Sequence, residues 1–159
     1  MENITNYKGD IGVACVMADL TKHGISVALP IAGHLPFDII AINNCGELSR
    51  LSVKFITKRK NGTLHVPLKT MSYNSSGPNS KSIDWNKVDA FAIYCIDNNK
   101  CYYVDSSYLI NLKSEFVIRI DPPKKMSNSK IINWSTSFEN IDSLFSKLSG
   151  VPYQSQTDS

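Results

Sequence analysis

The apolar positions of "KGDIGVACVMADLTKHG", residues 8–24, recur at helical spacing. Ile11, Cys15 and Ala18 fall on one stripe, and Val13, Val16, Met17 and Leu20 on another. So wide an apolar surface predicts a helix that is mostly buried. Lys22 and His23 suit the negative end of its dipole, and Gly24 suits the C-terminal cap. His23 is thereby accounted for as a helix-end residue and not as a catalyst.

The period then shortens to two. "ISVALPI" and "FDIIAI" are expected as strands joined by a short "AGHLP" connection, "NNCG" as a turn, and "ELSRLSVKFITK" as a long strand. "RKNG" is expected to turn the chain into "TLHVPLK", as a hairpin whose tip carries Lys58, Arg59 and Lys60. Residues 70–83, "TMSYNSSGPNSKSI", are polar with Gly and Pro and are expected as a mobile surface loop. "DAFAIYCI" and "CYYVD" are expected to pair across "DNNK". "FVIRID" is a further strand, stopped by Pro122 and Pro123. Phe138, Ile141, Leu144, Phe145 and Leu148 return to helical spacing and predict a C-terminal helix with Ser137 as its cap. The pattern gives one α/β (α+β) domain with a mixed sheet over residues 1–150 and a disordered tail over 151–159.

Composition narrows the class. A chain of 159 residues suits one domain with an adequate core. A hydrophobic fraction of 42% with 19% charged residues specifies a folded chain. The net charge of +3 permits a polyanion partner without requiring one, since the clustering of charge matters more. Cys15, Cys45, Cys95 and Cys101 form no Cys-x-x-Cys pair, which argues against a zinc site. Cys95 and Cys101 flank a turn and are candidates to sit opposite each other, though buried free thiols are the plainer reading. "MENITNYK" lacks the apolar segment of a signal peptide, and no run approaches about 18 apolar residues. A cytoplasmic protein with free thiols is expected.

Strand alternation selects the candidate site. Along "RLSVKF", residues 50–55, Arg50, Ser52 and Lys54 share one face, and Leu51, Val53 and Phe55 share the other, apolar face. That apolar face is expected to be the core side, leaving Lys54 on an exposed face. A five-residue loop over 43–47 would set Asp38 opposite Ser52, with Lys54 on the diagonal. A one-residue slip would break this arrangement. A carboxylate of this kind holds a hydrated magnesium ion, which polarises a phosphoryl oxygen. A nearby lysine stabilises charge on the phosphate. The plainer reading is a turn aspartate beside a solvated strand lysine.

The whole chain tilts the balance. "KGDIG", "PFDII", "RLSVK", "VDAFAIYC" followed by "KCYYV", and "RIDPPK" occur in that order over residues 8–125. The set resembles the PD-(D/E)XK nuclease superfamily, in particular the small bacterial members typified by the cyanobacterial group I intron homing endonuclease. The resemblance implies a restriction-endonuclease-like mixed sheet flanked by helices. It also implies magnesium-dependent cleavage of double-stranded DNA and assembly as a homodimer or homotetramer. It puts Asp38 at the metal-binding aspartate, Lys54 at the motif lysine, and Ser52 where the family has Glu or Gln. Val13 stands where the opening helix of the family commonly has Glu. Some members carry Ser-x-Lys with the acid moved to a later helix, but this chain has no Asp or Glu between Lys54 and Asp84. Asp10, one turn before Val13, is the substitute metal ligand to consider; its plainer role is an acid in a helix's first turn.

Candidate DNA contacts are Lys58, Arg59 and Lys60 at the "RKNG" turn, Lys124, Lys125 and Lys130 in a second basic loop, Lys69 and Lys81 bracketing the polar segment, and Arg50 on the Asp38 face. Any one of them alone is a solvated cation. Three readings follow: a magnesium-dependent endonuclease of homing or restriction-like type with a degenerate site, a nuclease-fold protein that binds DNA or assembles without cutting, and a plain interaction domain. A fold by itself does not choose among them.

Overall fold

The computed structural model describes residues 4–74, 77–124 and 131–145. The sequence pattern becomes one helix, α1 (Ile4–Lys22), and nine strands: β1 (Ser26–Ala28), β2 (Ile39–Ile42), β3 (Leu48–Ile56), β4 (Thr63–Pro67), β5 (Lys69–Asn74), β6 (Gly77–Ser82), β7 (Ala90–Cys95), β8 (Lys100–Asp105) and β9 (Glu115–Arg119). The main sheet has the order β1-β2-β3-β7-β8 and is mixed: β3 and β7 run parallel, and the other neighbours antiparallel. Among the described residues, no helix is long and apolar enough to cross a membrane.

α1 ends as its sequence dictates. Gly24 takes a positive φ of 76°, and the Ile25 N–H reaches back to the Leu20 carbonyl at 3.0 Å. This is the left-handed cap that glycine accepts without penalty. His23 Nδ1 lies 2.8 Å from the Asp19 carbonyl, so its ring finishes the helix end. Gly12 has a different use. A Cβ there would sit 3.3 Å from Val53 Cγ1 and 3.5 Å from Phe55 Cβ, so its absence lets α1 lie directly on β3.

Both faces of the sheet are covered, which corrects the expectation of one core face. On one side, Val16 and Leu20 of α1 pack against Ile39, Leu51, Ala92 and Tyr103. On the other, β4 pairs with β9 in an antiparallel ribbon, and its Leu64, Val66, Phe116 and Ile118 pack on Phe91 and Ile93. β7 is therefore buried at every position. Lys54 lies on this second side, at the edge of a core rather than on open sheet.

Three other expectations change. β3 and β4 form no hairpin, because β4 takes a partner from 115–119 that no local turn signals. Residues 69–74 and 77–82 pair as an antiparallel ribbon, β5–β6, where a loop was expected. The C-terminal segment is two short 3-10 turns, Ser135–Phe138 and Ile141–Leu144, and not one helix. Asn140 interrupts it: its side chain accepts the Asp142 N–H at 2.9 Å and caps the second turn, so Ser137 caps nothing. Leu148, Lys125, most of the "KKMSNSK" loop and the tail at 151–159 lie outside the described residues. Cys95 pairs with Lys100 and Cys101 with Tyr94, so the two thiols do not face each other. All four cysteines are free, and burial pushes the Cys101 thiol up to about 12.

Candidate active site

The site is built by the β2–β3 hairpin. Asn43 closes its loop: the Asn43 carbonyl Oδ1 accepts the N–H of Cys45 and of Glu47, and its amide donates to Glu47 Oε2 at 2.6 Å. Gly46 supplies the positive φ of 80° that the turn needs. The loop fixes a register of Ile39 against Leu51 and Ile42 against Leu48. One step outward, Asp38 reaches the level of Ser52.

Asp38 sits just before β2 and extends the ladder by other means. Its N–H donates to the Leu51 carbonyl at 2.8 Å. Its carboxylate Oδ2 accepts the Val53 N–H at 2.7 Å. The acid is thus tied to the backbone between Ser52 and Lys54, and Oδ1 has no hydrogen bond among the described residues.

Ser52 is buried, at 6% exposure, and pairs with Phe91 across the parallel β3–β7 ladder. Lys54 follows on the same face, and its Nζ lies 5.1 Å from the centroid of the Phe91 ring. Burial holds the Lys54 ammonium below the ordinary lysine pKa, and the negative charge of Asp38 opposes that shift. A lysine so placed gives up a proton more readily than a solvated one. The ring face offsets some of the cost of removing its charge from water.

The other sequence candidates separate. Arg50 is engaged with Asp89 through two charge-assisted bonds, Nε to Oδ2 at 2.8 Å and an Nη to Oδ1 at 2.9 Å. The Arg50 N–H also donates to Asp89 Oδ2, so the pair pins β3 to the start of β7. Asp10 is exposed on α1, and Val13 is half-buried against the helix-side core. Lys58 forms an ion pair with Asp121 at 2.8 Å. Lys60 and Lys124, distant in sequence, line one cleft of about 490 Å³ with Arg119 and Asp121. Arg119 fixes that corner by donating to the carbonyls of Asn61 and Asp121, each at 3.1 Å. Arg59 and Lys69 are exposed.

The sequence reading did not place His34, Asp84 and Lys87 at the site. They line a cleft of about 320 Å³ together with Ser52 and Lys81. No periodicity marks them, because they come from the loops before β2 and β7.

The donor set can be tested against a metal. Among the described residues, no three His, Cys, Asp or Glu side chains gather as a cage. Asp38 offers one carboxylate, and Ser52 adds a hydroxyl without charge. Such a set does not suit an ion held by protein groups alone. It does suit magnesium, which keeps several waters and binds through one or two carboxylates plus substrate phosphates.

This fold, with an acid before one strand and a half-buried lysine on the next, is that of a nuclease family. Residues 3–141 match the PD-(D/E)XK endonuclease family, and the chain belongs to it. Nucleases of this family generally use divalent metals. Among solved structures, the chain is similar to a bacterial homing endonuclease, I-Ssp6803I, at 19% identity and a TM-score of 0.66, over 86% of this chain and 88% of that one. That likeness carries the fold. No curated protein matches.

Proposed function

We propose that the protein is a magnesium-dependent DNA endonuclease of homing or restriction-like type, working with a reduced metal site as a homodimer or homotetramer. The observation that carries this reading is the Asp38 carboxylate held by the Val53 N–H at 2.7 Å, beside the desolvated Lys54. Family membership supplies the chemistry to which that arrangement belongs.

The reaction is phosphodiester hydrolysis. Water oxygen bonds to phosphorus as the bond to the leaving strand oxygen breaks. Asp38 would hold the metal through Oδ1, with Ser52 orienting a water in its shell. Bound there, the ion supplies Lewis-acid polarisation of the phosphoryl oxygen. Lys54 lies against the attacked phosphate. As the neutral amine, which its lowered pKa favours, it takes a proton from the attacking water; as the ammonium so formed it stabilises the developing charge, and the leaving oxygen takes its proton from solvent. Lys60 and Lys124 hold DNA backbone away from the reacting bond. Arg50 serves to hold β3 against β7.

One observation favours a second reading, in which the protein binds DNA without cutting. Ser52 and Val13 replace the usual polar or acidic groups, and no cage of three ligands forms among the described residues. Plasmid incubated with magnesium and with a chelator, using wild type and Lys54→Ala, separates the two. The nuclease reading expects magnesium-dependent nicking or linearisation by wild type only. Binding without cutting by wild type supports the second reading.

A further inference from the structure

The cleft around Ser52 has a composition that the site chemistry leaves unused. Lys81 and Lys87 line it together with Asp84, and Leu35 and Pro36 add apolar surface. Ser52 contributes to its lining, two residues from Lys54 on the same face of β3. The volume, about 320 Å³, lies at the small end of ligand pockets. It suits one nucleotide unit.

Its two lysines come from elements that can present them without disturbing a core. Lys81 stands opposite Thr70 in the β5–β6 ribbon, which belongs to neither of the other sheets. Lys87 is 64% exposed, and its Nζ is 3.6 Å from Asp84 Oδ2. So loose and solvated an ion pair exchanges cheaply for a phosphate. His34 adds a ring nitrogen to the loop side of the cleft. The same loop carries exposed apolar residues, with Leu29 at 52% and Ile31 fully exposed.

We infer that this cleft seats the nucleotide next to the cleaved bond, with its phosphate on Lys81 and Lys87 and its sugar and base edge against Leu35 and Pro36. The inference rests on the nuclease reading and adds a strand-holding subsite to it. The excess of cations in the lining, Lys81 and Lys87 against Asp84, selects a DNA phosphate as the occupant, and Ser52 in that lining is two residues from Lys54.

The test is the salt dependence of binding, measured by fluorescence anisotropy on a labelled duplex without magnesium. Wild type is compared with Lys81→Ala/Lys87→Ala and with Lys113→Ala, an exposed lysine that does not line the cleft. Each lost phosphate contact lowers the slope of log K against log salt by about 0.9. The double variant is therefore expected to be shallower by about 1.8, with Lys113→Ala at the wild-type slope. Thermal melting confirms that both variants fold, as their exposed positions require. A wild-type slope in the folded double variant overturns the subsite and leaves the nuclease reading standing. A wild type without salt-dependent binding overturns both.

Discussion

The Asp38 carboxylate accepts the Val53 backbone N–H at 2.7 Å, so the acid of one strand is fastened to the next strand between Ser52 and Lys54. The side chain takes the place of a ladder bond just where β2 has ended. A carboxylate fixed in this way needs little ordering when a cation and a phosphate arrive.

Lys54 carries a cost that its chemistry explains. Burial lowers its folded pKa, so between that value and the ordinary lysine value the native state holds fewer protons than the unfolded one. Stability therefore rises with pH across that window, and the penalty is full below it. Lys54→Met removes the penalty. The variant should be more stable than wild type near neutral pH, with an advantage that shrinks at alkaline pH. Its cleavage should fall by about 100-fold or more. Denaturant melts at neutral and alkaline pH, beside a plasmid assay, check both halves.

Arg50 and Asp89 make a pair that serves the scaffold. Arg50→Ala should cost about 2 kcal/mol, because it removes charge-assisted bonds and leaves Asp89 half-buried without them. The salt slope of DNA binding should stay at the wild-type value. A folded Arg50→Ala with a slope lower by about 0.9 would return Arg50 to the DNA contacts.

Gly62 and Gly46 both take positive φ, at 78° and 80°, but only one is crowded. A Cβ on Gly62 would lie 2.5 Å from Asp121 Cβ, whereas nothing lies within 4 Å of one on Gly46. Gly46→Ala should cost about 1 kcal/mol for backbone strain alone. Gly62→Ala should cost about 3 kcal/mol, since strain and the clash add. It should also weaken DNA binding by displacing Lys60 and Lys124. Paired thermal melts and binding curves read out the difference.

Much of this architecture was legible because it is local. The Asn43 loop and the alternation of "RLSVKF" specify the β2–β3 register, and "DNNK" specifies the β7–β8 hairpin. What escaped is non-local or polar. β4 finds β9 across about fifty residues with no turn between them to announce it. "TMSYN" and "GPNSKS" pair as a ribbon without the apolar alternation that marks a strand. Apolar spacing at 138–145 read as helical, but Asn140 competes for the backbone and caps a fresh turn. The face of Lys54 was misread for the same reason: its cover, β4–β9, arrives from distant sequence. At the site, Asp38, Ser52 and Lys54 come together through short-range register. His34, Asp84 and Lys87 come together only through tertiary packing.

Ser52 tests the proposal that the metal site is reduced. It is among the residues that line the cleft. Ser52→Gln adds a carbonyl acceptor and should lower the magnesium needed for half-maximal cutting by about 10-fold. Val13→Glu is less favourable alone, because Val13 is half-buried in the helix-side core and the new charge is desolvated. The double variant should exceed Ser52→Gln in activity and fall below it in stability. Magnesium titrations and melts on the three proteins check the order.

In the proposed reading, Asp38 directs magnesium-dependent cutting of DNA. The most direct measurement is cleavage of one DNA substrate over a magnesium titration, by wild type and Asp38→Ala, with binding followed on the same substrate. Wild type is expected to cut only with magnesium, and cutting should disappear in Asp38→Ala, with binding retained by both. Salt-sensitive binding by wild type with no cutting at any magnesium concentration, or cutting that survives in Asp38→Ala, would contradict this reading.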